Sequence, residues 1–226
     1  LKKSPLPFTT STLQQDASSK LNFAPQKTMR IAQQLYEGVN IKGQGTVGLI
    51  TYLRTDSTRI SVEADAAAKE YIKEAYGAEF VGAGTVAKKD DKKVQDAHEA
   101  IRPTYMTNSP ASIKDELSRD QFRLYQLIWN RFMASRMAPA KYENTSVKIA
   151  AGDYRFNASA SKIAFDGFLS VYNINNEKSE GNVMLKSIDE DTKLTLNNLE
   201  PKQHFTQPPA HYTCLLYTSP SPRDGL

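Results

Sequence analysis

The chain has 226 residues, 39% of them hydrophobic and 9% aromatic, which supplies enough apolar material for a packed core and excludes wholesale disorder. Its 29 Lys and Arg exceed its 25 Asp and Glu, and the formal net charge of +4 permits nucleic acid as a partner without requiring it. The single cysteine, Cys214, excludes an internal disulfide framework and a Cys-rich zinc site, and no apolar run approaches the roughly 20 residues that span a bilayer.

Taken in chain order, the first half reads as helices. Pro25 near a start and Gly38 past an end bracket Met29, Ala32, Leu35 and Tyr36 at helical spacing. A second helix is predicted from an N-cap at Ser61, with Glu63 in its first turn, to a stop at Gly77. The run Lys88 to Lys93 carries both signs and reads as a solvated loop. After Pro110, Ser118-Arg119-Asp120-Gln121 has the form of a capping box, and Leu124, Leu127, Ile128, Phe132 and Met133 follow as an apolar stripe.

Beyond Pro139 the pattern changes. Thr145, Val147 and Ile149 alternate with polar neighbours, Gly152-Asp153 interrupts, and Tyr154, Phe156 and Ala158 alternate again, which is a hairpin signal. Val183 to Ile188 and Leu194 to Leu199 read as further short strands, so residues 139–212 are expected to be antiparallel sheet. The fold class is therefore α+β with segregated halves. The expected division is a helical domain at 1–138, a β-rich segment at 139–212 and an unrelated tail at 213–226. The N-terminus leads into no apolar secretory core and lacks an initiator Met, which predicts a cytoplasmic protein of which this is a segment.

Gly43-Gln44-Gly45-Thr46-Val47-Gly48 matches a dinucleotide-binding fingerprint by letter, but a helix precedes it and β-type residues follow, the reverse of what a phosphate at a helix N-terminus requires. It is read as a turn. The next stretch, Gly48 to Arg59, is richer. On a strand, Tyr52, Arg54 and Asp56 would share one face. A phenol has an ordinary pKa near ~10, so a phosphoryl-transfer tyrosine profits from a neighbouring guanidinium that favours tyrosinate and grips phosphate. Thr55 and Ser57 could donate further hydrogen bonds to a DNA backbone. A packed tyrosine beside a surface Arg–Asp pair accounts for the same spacing, and by spacing alone it is the favoured account.

Asp96 to Thr104 forms a second polar cluster. Were Asp96 to Arg102 helical, His98 and Arg102 would lie one turn apart as a phosphate clamp, with His98 able to move a proton; a surface helix end stopped by Pro103 fits equally well. A metal site at His98-Glu99 lacks a second histidine at helical spacing. Between residues 119 and 141, Arg119, Arg123, Arg131, Arg136 and Lys141 stand against Asp120 alone, which suggests either a face toward nucleic acid or an ordinary solvated face. Trp129 interleaves with the apolar stripe and reads as core.

Together these pieces resemble the bacterial type IA DNA topoisomerases. Gly48 to Ser57 is similar to the family's active-site segment, with Tyr52 at the nucleophile position and Arg54 two residues on; Asp96 to Thr104 is similar to its second block, with His98 on the active-site histidine. Thr9 to Gln15, Pro139 to Tyr142 and Phe205 to Ala210 also match in the family's order. The resemblance implies a helical nucleophile-bearing domain followed by part of an antiparallel β-rich arch. It implies ATP-independent cleavage of single-stranded DNA through a 5′-phosphotyrosine at Tyr52, strand passage, religation and relaxation of negatively supercoiled DNA. Arg54 would neutralise the scissile phosphate, His98 would orient or protonate groups beside it, and Arg54, Thr55, Ser57 and Arg102 would contact DNA. The family's Mg²⁺ and acid–base residues belong to a toprim domain that nothing here matches, so this chain alone is expected to be inactive. The implied full enzyme is monomeric, soluble and associated with the nucleoid, without membrane attachment. After the Pro208-Pro209 block, Cys214 to Arg223 does not resemble the family's continuation, and His211 stands where the family usually has Arg. The competing reading is a non-catalytic single-stranded-DNA-binding module; a tyrosine recombinase is disfavoured because its catalytic Arg and His residues need other spacing.

Overall fold

The computed structural model describes residues 1–84, 98–172 and 192–208. Two compact units divide the chain: Leu1–Tyr142 with Ile163–Asn176, and Glu143–Lys162 with Glu177–Leu226.

The first unit is built from helices whose ends are written in local chemistry. Helix α1 (Thr10–Asp16) opens on a reciprocal capping box between Thr9 and Thr12 and runs into a π-helical turn, Ala17–Leu21, which Asn22 terminates in the left-handed region at φ 62°. Helix α2 (Pro25–Glu37) begins with proline at its first position and stops at Gly38, whose φ of 127° suits glycine. A short hairpin follows: β1 (Val39–Ile41) pairs antiparallel with β2 (Gly45–Val47), Val39 opposite Val47. The glycine-rich stretch is thus a hairpin turn, as its context predicts.

Helix α3 (Val62–Ala75) is capped by Ser61 Oγ, which accepts from the Ala64 amide at 3.3 Å, and carries Glu63 and Asp65 in its first turn, where the helix dipole favours negative charge. It stops two residues before Gly77, and Gly77 instead begins a 3₁₀ turn, Ala78–Phe80. Helix α4 (Arg119–Arg136) has the full capping box: Gln121 N–H donates to Ser118 Oγ at 3.4 Å and Ser118 N–H to Gln121 Oε1 at 3.0 Å. It is the centre of the unit and packs against both α2 and α3. Leu124, Tyr125, Leu127, Ile128, Trp129, Phe132 and Met133 are all buried, each side chain contributing about 1.5–3 kcal/mol by leaving water. Trp129 meets Tyr71 edge-on at 5.4 Å, in the core as the stripe predicts. Tyr125 donates its hydroxyl to the Asn108 carbonyl at 2.6 Å, and burial pushes its phenol pKa well up.

Three of the four arginines of α4 do not form the outward face considered from the sequence, and only Arg119, in its first turn, is exposed. Arg123 donates to the Leu21 carbonyl and lies over the Phe23 ring; Arg131 donates to the Leu6 carbonyl and to the Tyr172 hydroxyl, which in turn binds Asp16. Arg136 is only 6% exposed and pairs with Asp65 at 2.9 Å. Helix α4 is buried around most of its girth, so long cationic side chains reach past the apolar stripe to backbone carbonyls and carboxylates inside the unit.

Over residues 139–212 the strand expectation holds only in part. Strands β3 (Lys141–Ala151) and β4 (Tyr154–Phe165) pair around Gly152-Asp153, where Gly152 has φ 61°, and Ser161 donates to Asn144 Oδ1 at 2.7 Å across the ladder. Leu194 to Leu199 is exposed and irregular, because no neighbouring strand among the described residues supplies hydrogen-bond partners. Residues 183–188, the charged run 88–93 and the tail 213–226 lie outside the described residues. No helix among the described residues is long and apolar enough to cross a membrane.

Asp65 links charge to stability. Burial alone would raise its carboxyl pKa, but hydrogen bonds and charge from Lys69 and Arg136 outweigh it and hold the group below the ordinary value of 3.8. A depressed folded pKa gives stability that is present above the unfolded pKa and lost as pH falls through the folded one. Thermal melts should therefore show Tm falling below about pH 4, and Asp65→Asn should reduce that fall relative to the parent. An unchanged acid limb would remove the Asp65 cluster as its source.

Candidate active site

Tyr52 sits on a segment, residues 48–61, that is neither helix nor paired strand. Its entry is set by a close approach. A Cβ on Gly48 would lie 2.8 Å from the Tyr36 carbonyl oxygen, so the chain passes α2 here only as glycine. The Leu49 amide then donates to the Leu35 carbonyl at 2.8 Å.

From that point the segment is stitched to two remote stretches. The Thr104 amide donates to Leu49 O at 3.0 Å, the Thr51 amide to Arg102 O at 3.0 Å, and Ile50 bridges Pro103. Thr51 Oγ1 donates to Ala100 O at 2.7 Å and accepts from the Arg102 amide at 3.0 Å. On the other side, Thr10 Oγ1 donates to Leu53 O at 2.7 Å and accepts from the Thr55 amide at 2.9 Å, while the Thr10 amide reaches Thr55 O. The predicted strand is corrected to an irregular extended segment, whose polar backbone is satisfied largely by these threonine and loop contacts rather than by a ladder.

The alternation read from the sequence survives without the strand. Leu53, Thr55 and Ser57 are buried, and Tyr52, Arg54 and Asp56 between them are exposed. Thr55 Oγ1 accepts from the Ser57 amide at 3.1 Å, and Ser57 Oγ from the Arg59 amide at 3.1 Å. Two side chains expected to face DNA thus form consecutive hydroxyl turns that shape the loop.

Tyr52 is 38% exposed and its ring is flanked on both sides. Tyr36 meets it edge-on at 5.6 Å, and His98 lies tilted against it at 5.2 Å with 37° between the planes. The Tyr52 hydroxyl has no hydrogen-bond partner among the described residues, so its oxygen is open to an incoming group. Arg54 is exposed and makes no hydrogen bond or ion pair among the described residues.

The second polar cluster is also corrected. Residues 98–102 are extended rather than helical: the Ala100 amide donates to Arg59 O and the Ile101 amide to Phe8 O, both at 2.9 Å. Asp96 and Ala97 lie outside the described residues. Arg102 does not stand with His98 as a clamp. Its guanidinium donates twice to Glu99 Oε2, at 2.9 and 2.6 Å, and once to the Pro103 carbonyl at 2.9 Å. Sequence reasoning missed Tyr36 as a neighbour of Tyr52. The signal was available in part, since the buried positions Thr28, Ile31, Ala32 and Leu35 leave Tyr36 at the edge of the helix face. Among the described residues no group of three His, Cys, Asp or Glu could hold a metal ion; the Mg²⁺ that the resemblance implies is expected in a toprim domain, not on these residues.

Comparison with known proteins identifies the family. A family model described as DNA topoisomerase matches residues 1–215. The structure of full-length topoisomerase I from Thermotoga maritima aligns with a TM-score of 0.65 at 47% identity, over 75% of this chain and 27% of that one. The chain thus spans about a quarter of that protein's length. The run of matched residues takes in both the loop that carries Tyr52 and the strand-like stretch that brings His98 to it, and the chain belongs to the bacterial type IA DNA topoisomerase family.

Proposed function

We propose that this chain carries the nucleophile of an ATP-independent type IA topoisomerase. The observation that carries the reading is the Tyr52 ring, half-exposed on a stitched loop, flanked by His98 and with its hydroxyl unbonded among the described residues. Tyr52 Oη attacks a backbone phosphate of single-stranded DNA. The Oη–P bond forms as the P–O3′ bond breaks; the phenol loses a proton and the departing 3′ oxygen gains one. One phosphate ester replaces another, so the linkage stores what religation needs, and no ATP is required. Passage of a second strand through the gap relaxes negative supercoils.

Arg54 is the group that meets the scissile phosphate, because it is exposed two residues from Tyr52 and engaged by no carboxylate among the described residues. His98 holds the Tyr52 ring and orients or protonates groups beside it. Thr55 and Ser57 act through the loop they shape, and Arg102 through its pairing with Glu99. Residues 1–138 serve as the nucleophile-bearing domain and 139–212 as part of the arch. Mg²⁺ belongs to a toprim domain, and no step above passes through it. The enzyme is an isomerase of the cytoplasm, acting on single-stranded and negatively supercoiled DNA.

The test is a denaturing gel for a covalent protein–DNA adduct, using a polypeptide that joins this chain to a toprim domain, with Mg²⁺ and 3′-labelled single-stranded DNA. Tyr52→Phe should abolish the adduct and leave non-covalent binding largely intact; an adduct that persists would sink the nucleophile assignment. Binding with no adduct from the parent would favour the DNA-binding module instead. Arg54→Ala should slow cleavage by about 10²-fold or more, and cleavage at the parent rate would take Arg54 out of the site. Binding of single-stranded DNA by the chain should weaken as salt rises, since phosphate contacts release counterions. A salt-independent affinity would argue against those contacts.

A further inference from the structure

A cavity of about 410 Å³ opens beside the β1–β2 hairpin, lined by Gln44, Thr46, Val47, Gly48, Tyr105 and Thr107. None of these takes part in the chemistry assigned to Tyr52, yet Gly48 is the residue at which the Tyr52 loop leaves α2. The cavity therefore adjoins the start of that loop, within the first unit.

Its polar wall is anchored in the core. Gln44 Nε2 donates to Asn108 Oδ1 at 3.1 Å, and Asn108 Nδ2 returns a bond to Gln44 Oε1 at 3.3 Å. Asn108 is 1% exposed and its carbonyl holds the hydroxyl of buried Tyr125. This pairing fixes the Gln44 amide and leaves its second Nε2 hydrogen for a ligand. Tyr105 also lines the cavity, is 55% exposed, and its ring has no aromatic or cationic partner among the described residues.

The chemistry of this lining is selective. No charged side chain lines the cavity, so it offers nothing to compensate a phosphate. An open aromatic face beside an amide donor and two threonine hydroxyls suits a flat, neutral group with a hydrogen-bonding edge. We propose that the cavity is a base-stacking subsite, in which an unpaired nucleobase of the strand cleaved at Tyr52 lies on Tyr105 with its edge toward Gln44, Thr46 and Thr107. The proposal rests on the reading of single-stranded DNA as substrate. Stacking on an aromatic side chain carries little sequence preference, so Tyr105 would hold the strand beside the start of the Tyr52 loop whatever base arrives.

The test is fluorescence anisotropy of the full 226-residue chain with a short labelled single-stranded oligonucleotide and with an abasic oligonucleotide of equal length. Tyr105→Ala should weaken binding of the base-bearing strand by about tenfold and leave the abasic strand unchanged, while Tyr105→Trp should retain or tighten it. Equal affinity of Tyr105→Ala and parent for the base-bearing strand would overturn the proposal. So would an equal loss on the abasic strand, or no binding of either strand by the parent. Binding is read without cleavage: a failed adduct test would leave the Tyr105 effect in place, and a missing Tyr105 effect would leave the adduct in place.

Discussion

Two threonine hydroxyls hold the segment on which the site depends. Thr10 Oγ1 and Thr51 Oγ1 each donate to one carbonyl and accept one amide, and between them they tie residues 51–55 to α1 on one side and to residues 100–102 on the other. A hydroxyl is the smallest side-chain group that can do both, and each occupies a place where a strand would have put a neighbouring backbone. The arrangement leaves the segment fixed but unpaired, with its outer side chains free of a sheet neighbour. An amide stripped of such a partner in this part-buried setting costs about 1–3 kcal/mol, so the two hydroxyls matter to stability as well as to the placement of Tyr52.

The helices could be read from the sequence because their ends are local events. Pro25, Gly38, Ser61 and the Ser118–Gln121 box mark boundaries through bonds that span three or four residues, and each acts where its chemistry indicates. The Tyr52 segment and the His98 stretch could not be read this way. Their bonds join residues about 40 to 50 positions apart, such as Thr10 with Leu53 and Thr51 with Ala100, and period-two burial resembles a strand whether or not a ladder exists. The shared face of Tyr52, Arg54 and Asp56 survives because alternation needs only an extended backbone, while their exposure did not follow from spacing, which favoured a packed tyrosine. The meeting of Tyr52 with His98 came from family resemblance, and Tyr36 from neither source.

Charge counting failed on α4 for a related reason. Arg123, Arg131 and Arg136 lie among apolar positions and finish inside, where each guanidinium satisfies carbonyls, a phenol or a carboxylate from another element. Burial lowers the pKa of Arg131, opposed by the charge of Asp16, and the guanidinium stays charged and is satisfied by the partners around it. A sequence gives the number of cations in a stretch but not which way a helix is rolled. The outward positions beside Tyr52 are fewer, and Arg54 stands out there for lacking any such internal engagement among the described residues.

Gly48 places a backbone carbonyl, rather than a side chain, at the junction between α2 and the loop. Tyr36, the residue that owns that carbonyl, also sets its ring edge-on against Tyr52. One added methyl group at position 48 would push on the carbonyl and carry the displacement through a single residue to the ring. The last turn of α2 is thereby a rigid lever between a crowded peptide plane and the phenol beside it, and its stiffness comes from the helix rather than from any contact the ring makes.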